Sequence, residues 1–377
     1  MSERTQRALV IAATGKTKII TSKAYPRVSP NEVIIKVKAV TLNPTDWMHL
    51  DAYMGPLAPD TSLGSDFAGD VVELGAEAQN KARCWLTFVL NISCILTYNS
   101  NMDVIFQGFK VGDGVAGFTR GGALDKDNGS FQEYIKMRTE HIWHKPSSLP
   151  YEDASSMGGI ALSTAAYSLI YLLGLPKPWE PRPENVAPIL IWAGSTSVGL
   201  YAISLAKLCD DRIPVITTAS PHSFDLVKSR GADVVFDYKD PEVSQKIKDW
   251  AKEQGYAEGI LKGLDCISSH GSTTLATEAM GGGMLNVLLM VSPEEGKSWP
   301  NGVDVSFVVI YSVLDPKNEK AFASVYEWNQ QLPTLITEKN FGNSNPLEVS
   351  NGLENIPDGL ERLRAGKVSG SKLAYII

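Results

Sequence analysis

Cysteine is scarce in this chain, and none stands where a metal or a disulfide framework would need it. The four are Cys84, Cys94, Cys209 and Cys266. No CxxC or ligand spacing links them, which points to a reducing compartment, the cytoplasm. Histidine is equally sparse. His49, His141, His144, His222 and His270 are scattered, and none pairs with a cysteine at zinc-ligand spacing. They read as surface or core residues, so no metal is expected and zinc hydrolases and zinc alcohol dehydrogenases are disfavoured. No G-x-S-x-G elbow offers a serine-hydrolase nucleophile. No Lys/Arg cluster exists, and 35 Lys and Arg against 42 Asp and Glu leave a formal charge of −7. Such a chain repels phosphate backbones, so no nucleic-acid partner is expected. The apolar segment Trp85 to Tyr98 holds Asn91 and Ser93 and falls short of the roughly 18–20 residues of a bilayer span. No membrane partner is expected. Glu3, Arg4, Gln6 and Arg7 precede any apolar run, so no signal peptide is expected either.

What is present suits a folded chain of two or three domains. It has 377 residues, 44% hydrophobic and 20% charged, enough apolar content for a sizeable core. The first 150 or so read as β-rich. Strands are expected in EVIIKVKAV (Glu32 to Val40), DFAGDVVELG (Asp66 to Gly75), VGDGVAGF (Val111 to Phe118) and SFQEYIKM (Ser130 to Met137). Short strands punctuated by glycine and proline suggest a barrel-like sheet.

Near residue 150 the pattern turns helical, in PYEDASSMGGIALSTAAYSLIYLLG, and then passes through a proline-rich loop, Pro176 to Pro188. Beyond it strands and helices alternate. PILIWA, VITTAS, DVVFDY, GLDCISS and NVLLMV read as strands, and SVGLYAISLAKLC and FDLVKSRG as helices. That alternation signals βαβ units and a parallel sheet. The tail, from about Tyr311, returns to mixed helix and strand.

The first βα turn of this sheet reads Ala193-Gly194-Ser195-Thr196-Ser197-Val198-Gly199. Gly194 and Gly199 stand at the first and third glycines of GxGxxG, with Thr196 at the second. A pyrophosphate needs such a turn, because backbone N–H groups and a helix N-terminus must approach it closely. Ser195, Thr196 and Ser197 add hydroxyl donors. A tight turn that binds nothing is the plain alternative, but the strands around the turn favour a dinucleotide. The second strand then ends in Ala219-Ser220-Pro221-His222, with Lys228 in the following helix. No carboxylate stands there for a ribose 2′-hydroxyl, whereas a 2′-phosphate would find hydroxyl, imidazole and ammonium donors. NADPH is therefore expected rather than NADH; a solvated loop with a surface histidine is the alternative.

Together these stretches resemble the medium-chain dehydrogenase/reductase superfamily. VKAVTLNPTDW (Val37 to Trp47), GSDFAGDVVELG (Gly64 to Gly75), KVGDGVAGF (Lys110 to Phe118), GSFQEY (Gly129 to Tyr134), AGSTSVG, SPHSFDLVKSRGADVVFDY (Ser220 to Tyr238) and KVSGSKL (Lys367 to Leu373) carry the likeness. Asn43-Pro44 and Ser65-Asp66 stand where zinc alcohol dehydrogenases carry Cys-His and His-Glu, so the likeness is to the zinc-independent, quinone oxidoreductase-like branch. Within it the chain is similar to fungal trans-acting enoyl reductases of polyketide and toxin clusters. The resemblance implies an α/β fold. A GroES-like β-barrel catalytic domain (1–155) would be followed by a Rossmann doubly wound parallel-sheet domain binding NADP (156–310). A C-terminal return to the catalytic domain (311–377) would follow.

The resemblance also implies a site. Thr45, Asp46, Trp47 and Met48 would line the nicotinamide side. Gly194, Ser195, Thr196, Ser197, Val198 and Gly199 would hold the pyrophosphate. Ser220, Pro221, His222 and Ser223 would surround the 2′-phosphate, with Tyr238 near the adenosine. Leu288 and Leu289 would flank the nicotinamide, and Val368 and Ser369 would close the cleft. Thr164, with Val308, Val309, Ile310, Tyr311 and Ser312, would border the substrate. Relatives often carry lysine at Met48; here that donor is lost, so the acid is water, another side chain such as Thr164, or absent. The implied reaction is NADPH-dependent reduction of the carbon–carbon double bond of a small-molecule or carrier-bound enoyl substrate, with a polyketide synthase as partner. A quinone or alkenal reductase and a non-catalytic NADPH sensor are the alternatives. One stretch, residues 82–107, interrupts the likeness. It reads either as an unspliced intron or as a substrate lid or docking patch, and in the first case it should be poorly packed and removable.

Overall fold

A computed structural model describes residues 4–53, 55–78, 108–122, 126–293 and 297–377. The interruption at 82–107, and the expectation about its packing, lie outside the described residues. The chain divides into two compact units. Met1–Gly158, Ser350–Leu360 and Tyr375–Ile377 form one, and Gly159–Val349 with Glu361–Ala374 the other.

The first unit opens with an antiparallel hairpin, β1 (Thr5–Ala13) and β2 (Lys16–Ala24). The sequence reading places no strand before Glu32. β2 hides its pairing because its Lys and Thr side chains leave it mostly uncovered. Then come β3 (Glu32–Thr41), helix α1 (Pro44–Leu50), β4 (Asp66–Leu74), β5 (Gly114–Phe118), β6 (Tyr134–Arg138), β7 (Ile142–His144) and α2 (Tyr151–Gly158). β3 pairs antiparallel with both β4 and β6, β4 with β5, and β5 with β7. The strand expected from Ser130 starts only at Tyr134, yet Phe131 is fully buried.

In the second unit α3 (Ile160–Ala166) runs into a π-helical turn, Tyr167–Leu172. The chain continues through β8 (Ile189–Trp192), α4 (Ser197–Cys209), β9 (Val215–Ala219), α5 (Phe224–Ser229), β10 (Val234–Asp237) and α6 (Val243–Glu253). It goes on with β11 (Lys262–Asp265), α7 (Ser272–Ala279), β12 (Met284–Val287) and β13 (Asp304–Phe307). The strands form one parallel sheet in the order β10-β9-β8-β11-β12-β13. Leu190, Trp192 and Ile216 of the sheet pack with Ile247 of α6 and Ala276 of α7 in a common core. Each such aliphatic side chain contributes about 1.5–3 kcal/mol by its burial. α6 reaches that core through Val243, Ile247 and Ala251, a four-residue spacing that makes one helical face.

Three expectations are corrected here. The strand expected over NVLLMV ends at Val287, so Leu288 and Leu289 lie in the loop beyond it. β13, with the short mixed sequence DVSF, adds a sixth strand that the pattern does not reveal. The expected C-terminal return is narrower than residues 311–377. α8 (Glu319–Lys339) belongs to the second unit, where Phe322, Val325, Trp328 and Leu332 are buried. After it come β14 (Leu347–Asn351), α9 (Ile356–Arg364) and β15 (Lys372–Ile376), and a seven-stranded sheet has the order β14-β15-β3-β4-β5-β7 with β6 on β3. No helix among the described residues is long and apolar enough to cross a membrane.

Candidate functional site

In the second unit the strand order reverses beside β8: β9 and β10 build outward on one side, β11 to β13 on the other. In doubly wound sheets ligands bind outside the carboxyl ends of the strands at this point. The turn leaving β8 lies there. Ala193 holds a left-handed conformation, φ 61°. Its amide donates to Thr218 Oγ1 at 2.9 Å, and the Gly194 amide to the Thr218 carbonyl at 2.8 Å. A Cβ on Gly194 would stand 2.0 Å from Thr217 Oγ1, and one on Gly199 2.6 Å from the Ala193 carbonyl, so both positions demand glycine.

Thr196 uses its hydroxyl within the turn. Its Oγ1 donates to the Ala193 carbonyl at 2.8 Å and accepts the Gly199 amide at 3.1 Å, capping α4. The first-turn amides of Ser197 and Val198 have no carbonyl to meet within the helix, and the dipole of α4 favours an anion beside them. Asn345 steadies this end, donating from Nδ2 to the Ser197 carbonyl at 3.3 Å. A tight turn with two glycines, first-turn amides without helical acceptors and the partly exposed residues Ser195 and Ser197 fit a dinucleotide pyrophosphate.

At the tip of β9, Ser220 is partly exposed and makes no side-chain cap bond to the short 3-10 turn that follows, while Pro221 and His222 are exposed. Ser223 is buried at 4% exposure, so it does not share their surface. Lys228 lies exposed on α5, and Tyr238, just past β10, is 42% exposed. Val368 and Ser369 precede Gly370, whose backbone comes close to Leu226 of α5.

The sequence reading passed over a polar network beyond β11. Asp265, fully buried, accepts the Ser272 and Thr273 hydroxyls at 2.7 and 2.8 Å and the Ile267 and Ser268 amides at 3.1 and 3.0 Å. The Ser268 hydroxyl in turn accepts the Leu288 amide at 2.8 Å. Leu288 is partly buried and Leu289 38% exposed. The neighbouring Cys266 thiol is pushed well above its ordinary range by burial and by Asp265, and so stays protonated. A carboxylate one residue before a cysteine, followed by a Ser/Thr cluster, was the signal available.

Thr164 is buried on α3. Its neighbour Ser163, rather than Thr164, joins Tyr167, Ile310, Val325 and Trp328 around a cavity of about 10 Å³, room for one water. Val308 is buried, Val309 48% exposed, and Tyr311 and Ser312 lie partly exposed on the segment after β13.

In the first unit Thr45, Asp46, Trp47 and Met48 occupy α1. Asp46 is fully buried, accepting the Asn43 amide at 2.7 Å through Oδ2 and the Ser65 hydroxyl at 3.4 Å through Oδ1. It fastens its own helix. Thr45 Oγ1 is shielded from solvent and has no hydrogen-bond partner, an open donor on the same helix. Trp47 packs edge-on against Tyr53 with ring centres 5.5 Å apart, and Met48 is partly exposed. Burial, and then Arg120, lower His49 to about 4, so its imidazole is neutral near pH 7. Asp66 accepts the Thr41 hydroxyl at 2.8 Å. Among the described residues no three His, Cys, Asp or Glu side chains group as metal ligands.

A doubly wound parallel sheet, with a glycine turn at its switch point and a separate antiparallel unit, defines an oxidoreductase of the medium-chain dehydrogenase/reductase fold. The model of the alcohol dehydrogenase GroES-like domain matches residues 29–147. Trans-enoyl reductase ACTTS2 of Alternaria alternata is 33% identical over 388 residues, covering 99% of each chain. Trans-enoyl reductase pvhC of Talaromyces variabilis is 32% identical over 390 residues, covering 99% of this chain and 98% of its own. The chain belongs to this family of trans-enoyl reductases. Among solved structures, the CurK enoyl reductase shares the fold with a TM-score of 0.71 at 16% identity, over 98% of this chain and 99% of that one. A mycobacterial protein complexed with NADPH does so with a TM-score of 0.69 at 18% identity, over 99% and 100%.

Proposed function

We propose that the protein is an NADPH-dependent, zinc-independent enoyl reductase of secondary metabolism. It saturates the carbon–carbon double bond of an α,β-unsaturated acyl chain carried by a polyketide synthase, and it acts in the cytoplasm. The observation that carries this reading is the Ala193–Gly199 turn at the switch point beside a β9 tip, Ser220 to His222, that has no carboxylate. The family assignment and the NADPH-bound neighbour support it.

The Ser197 and Val198 amides would hold the pyrophosphate. Ser220 and His222 would donate to a 2′-phosphate, where an acidic residue would repel it. When bound, the nicotinamide supplies a hydride for the β-carbon of the substrate. Negative charge then develops on the carbonyl oxygen, where preorganised donors matter most. Thr164 is the side-chain candidate for that donor, and Thr45 has an open hydroxyl for orienting the nicotinamide. Met48 neither donates nor accepts a proton, so the proton for the α-carbon would come from water or from another side chain such as Thr164, or no dedicated acid is present.

The test is a panel of enoyl thioesters, enones and quinones, followed by NADPH oxidation. Turnover concentrated on enoyl thioesters is expected. Preference for free quinones or alkenals would reassign the enzyme, and cofactor binding without oxidation across the panel would make it a sensor.

A further inference from the structure

Ala193 is the odd residue of the phosphate turn. It carries a side chain in a left-handed conformation, φ 61°, that favours glycine. A conformation of this kind persists only where its surroundings hold it. The surroundings here are three threonines. Thr217 and Thr218 are both fully buried on β9 and point to opposite faces of the strand, as successive strand residues do. Thr217 donates to the Ile191 carbonyl at 2.6 Å and fills the space a Gly194 side chain would need. Thr218 accepts the Ala193 amide through its hydroxyl and the Gly194 amide through its carbonyl. Thr196 fastens the Ala193 carbonyl from the other end, with its amide at 3.1 Å and its hydroxyl at 2.8 Å.

We propose that Thr218 is a positioning residue for the nicotinamide cofactor: by holding the Ala193 amide it keeps the turn in the conformation that opens α4 at Ser197, with the Ser197 and Val198 amides free of helical acceptors. It touches no ligand itself. The backbone bond from Gly194 survives any substitution at 218, whereas the bond from Ala193 depends on the side-chain oxygen alone. Valine has the shape of threonine without that oxygen, so Thr218→Val leaves the part-buried Ala193 amide without its acceptor at the residue least able to hold its conformation alone. The turn would then sample other conformations, and cofactor binding would first have to restore the competent one.

This inference rests on the dinucleotide reading of the turn, and the experiment separates the two. NADPH is titrated into the full-length protein and binding is followed by cofactor fluorescence and calorimetry, without substrate. If the wild type binds no NADPH, the cofactor reading itself fails before any variant is made. Given binding, T218V should raise Kd about tenfold, or ~1.4 kcal/mol, with kcat at saturating NADPH nearly unchanged. T218S, which restores the acceptor, should return Kd close to wild type. A193G in the T218V background should recover part of the loss, because glycine adopts φ > 0 unaided. Should T218V not fold, T218A carries the same expectation. Wild-type affinity in the acceptor-less variant overturns the proposal. So does a loss that neither T218S nor A193G repairs, since that pattern belongs to general damage.

Discussion

Leu288 donates its amide to the hydroxyl of Ser268 at 2.8 Å, tying together the loops that follow the adjacent parallel strands β11 and β12. Behind that bond stands Asp265, whose carboxylate gathers two hydroxyls and two amides. Removing the carboxylate would leave those donors without an acceptor in a buried place. Asp265→Ala is expected to cost roughly 3 kcal/mol or more of stability, and Asp265→Asn less. Urea unfolding measures both, and an Asp265→Ala midpoint equal to wild type would show that the network is dispensable.

Cofactor choice is the second prediction. With Ser220 partly exposed at the tip of β9 and no acidic residue among Ala219 to His222, the protein should prefer NADPH to NADH. Ser220→Asp places a carboxylate against the 2′-phosphate. It should weaken NADPH by about tenfold or more, ~1.4 kcal/mol, and leave NADH nearly untouched. Equal affinity of the wild type for the two cofactors contradicts the assignment.

Met48 supplies the third. It sits partly exposed on the short helix α1, where lysine fits the helix as well as methionine does. If the chain reduces enoyl thioesters, Met48→Lys should raise kcat by roughly tenfold, which needs only ~1.4 kcal/mol of transition-state stabilisation. Steady-state rates across the substrate panel check this, and an unchanged or lower rate counts against a missing donor at that position.

The fourth concerns acid. His141 is buried, and burial lowers it to about 4 from its ordinary 6.5. The unfolded chain therefore binds a proton between pH 6.5 and 4 that the folded chain does not, so stability falls as pH drops through that window. At full shift this amounts to roughly 3 kcal/mol. Denaturant midpoints at pH 7, 6 and 5 should decline in step, and His141→Phe should reduce that decline by about half, His49, lowered to about 4 in the same way, supplying the rest. A wild-type midpoint independent of pH, or a His141→Phe decline as steep as the wild type's, would mean that His141 charges freely in the fold.

The fifth is metal independence. At the positions compared with zinc ligands, Asn43 precedes α1, Ser65 donates to Asp46, and Asp66 accepts Thr41. A chelator should leave reductase activity intact, and elemental analysis of purified protein should find zinc well below one per chain. Stoichiometric zinc with activity lost on chelation would reverse this.

Residue pattern alone carried much of the architecture. Alternating apolar strands and helices from Pro188 onward could only be a parallel α/β sheet, because βαβ crossovers bury strands on both faces and leave near-continuous apolar runs. Gly194 and Gly199 at the first turn marked the phosphate end, since a glycine's lack of a side chain is visible in one letter. The tip of β9, which the NADPH proposal rests on, was legible for the same reason: a carboxylate is either there or not. Tertiary structure decided what those letters could not. That the Thr196 and Asp46 side chains cap their own helices could not be read from the sequence, because a hydroxyl or carboxylate bonds whichever partner the backbone brings nearest. Ser223 sits within the same SPHS motif as Ser220 but turns inward. β13 escaped notice because DVSF has too few apolar residues to show a period, and the register with β12 makes it a strand. Thr217, Thr218 and Asp265 looked like ordinary strand residues. Their importance comes from the strand order, which sets β9 and β11 on either side of β8 and so delivers their oxygens to the turn and to the loop beside it.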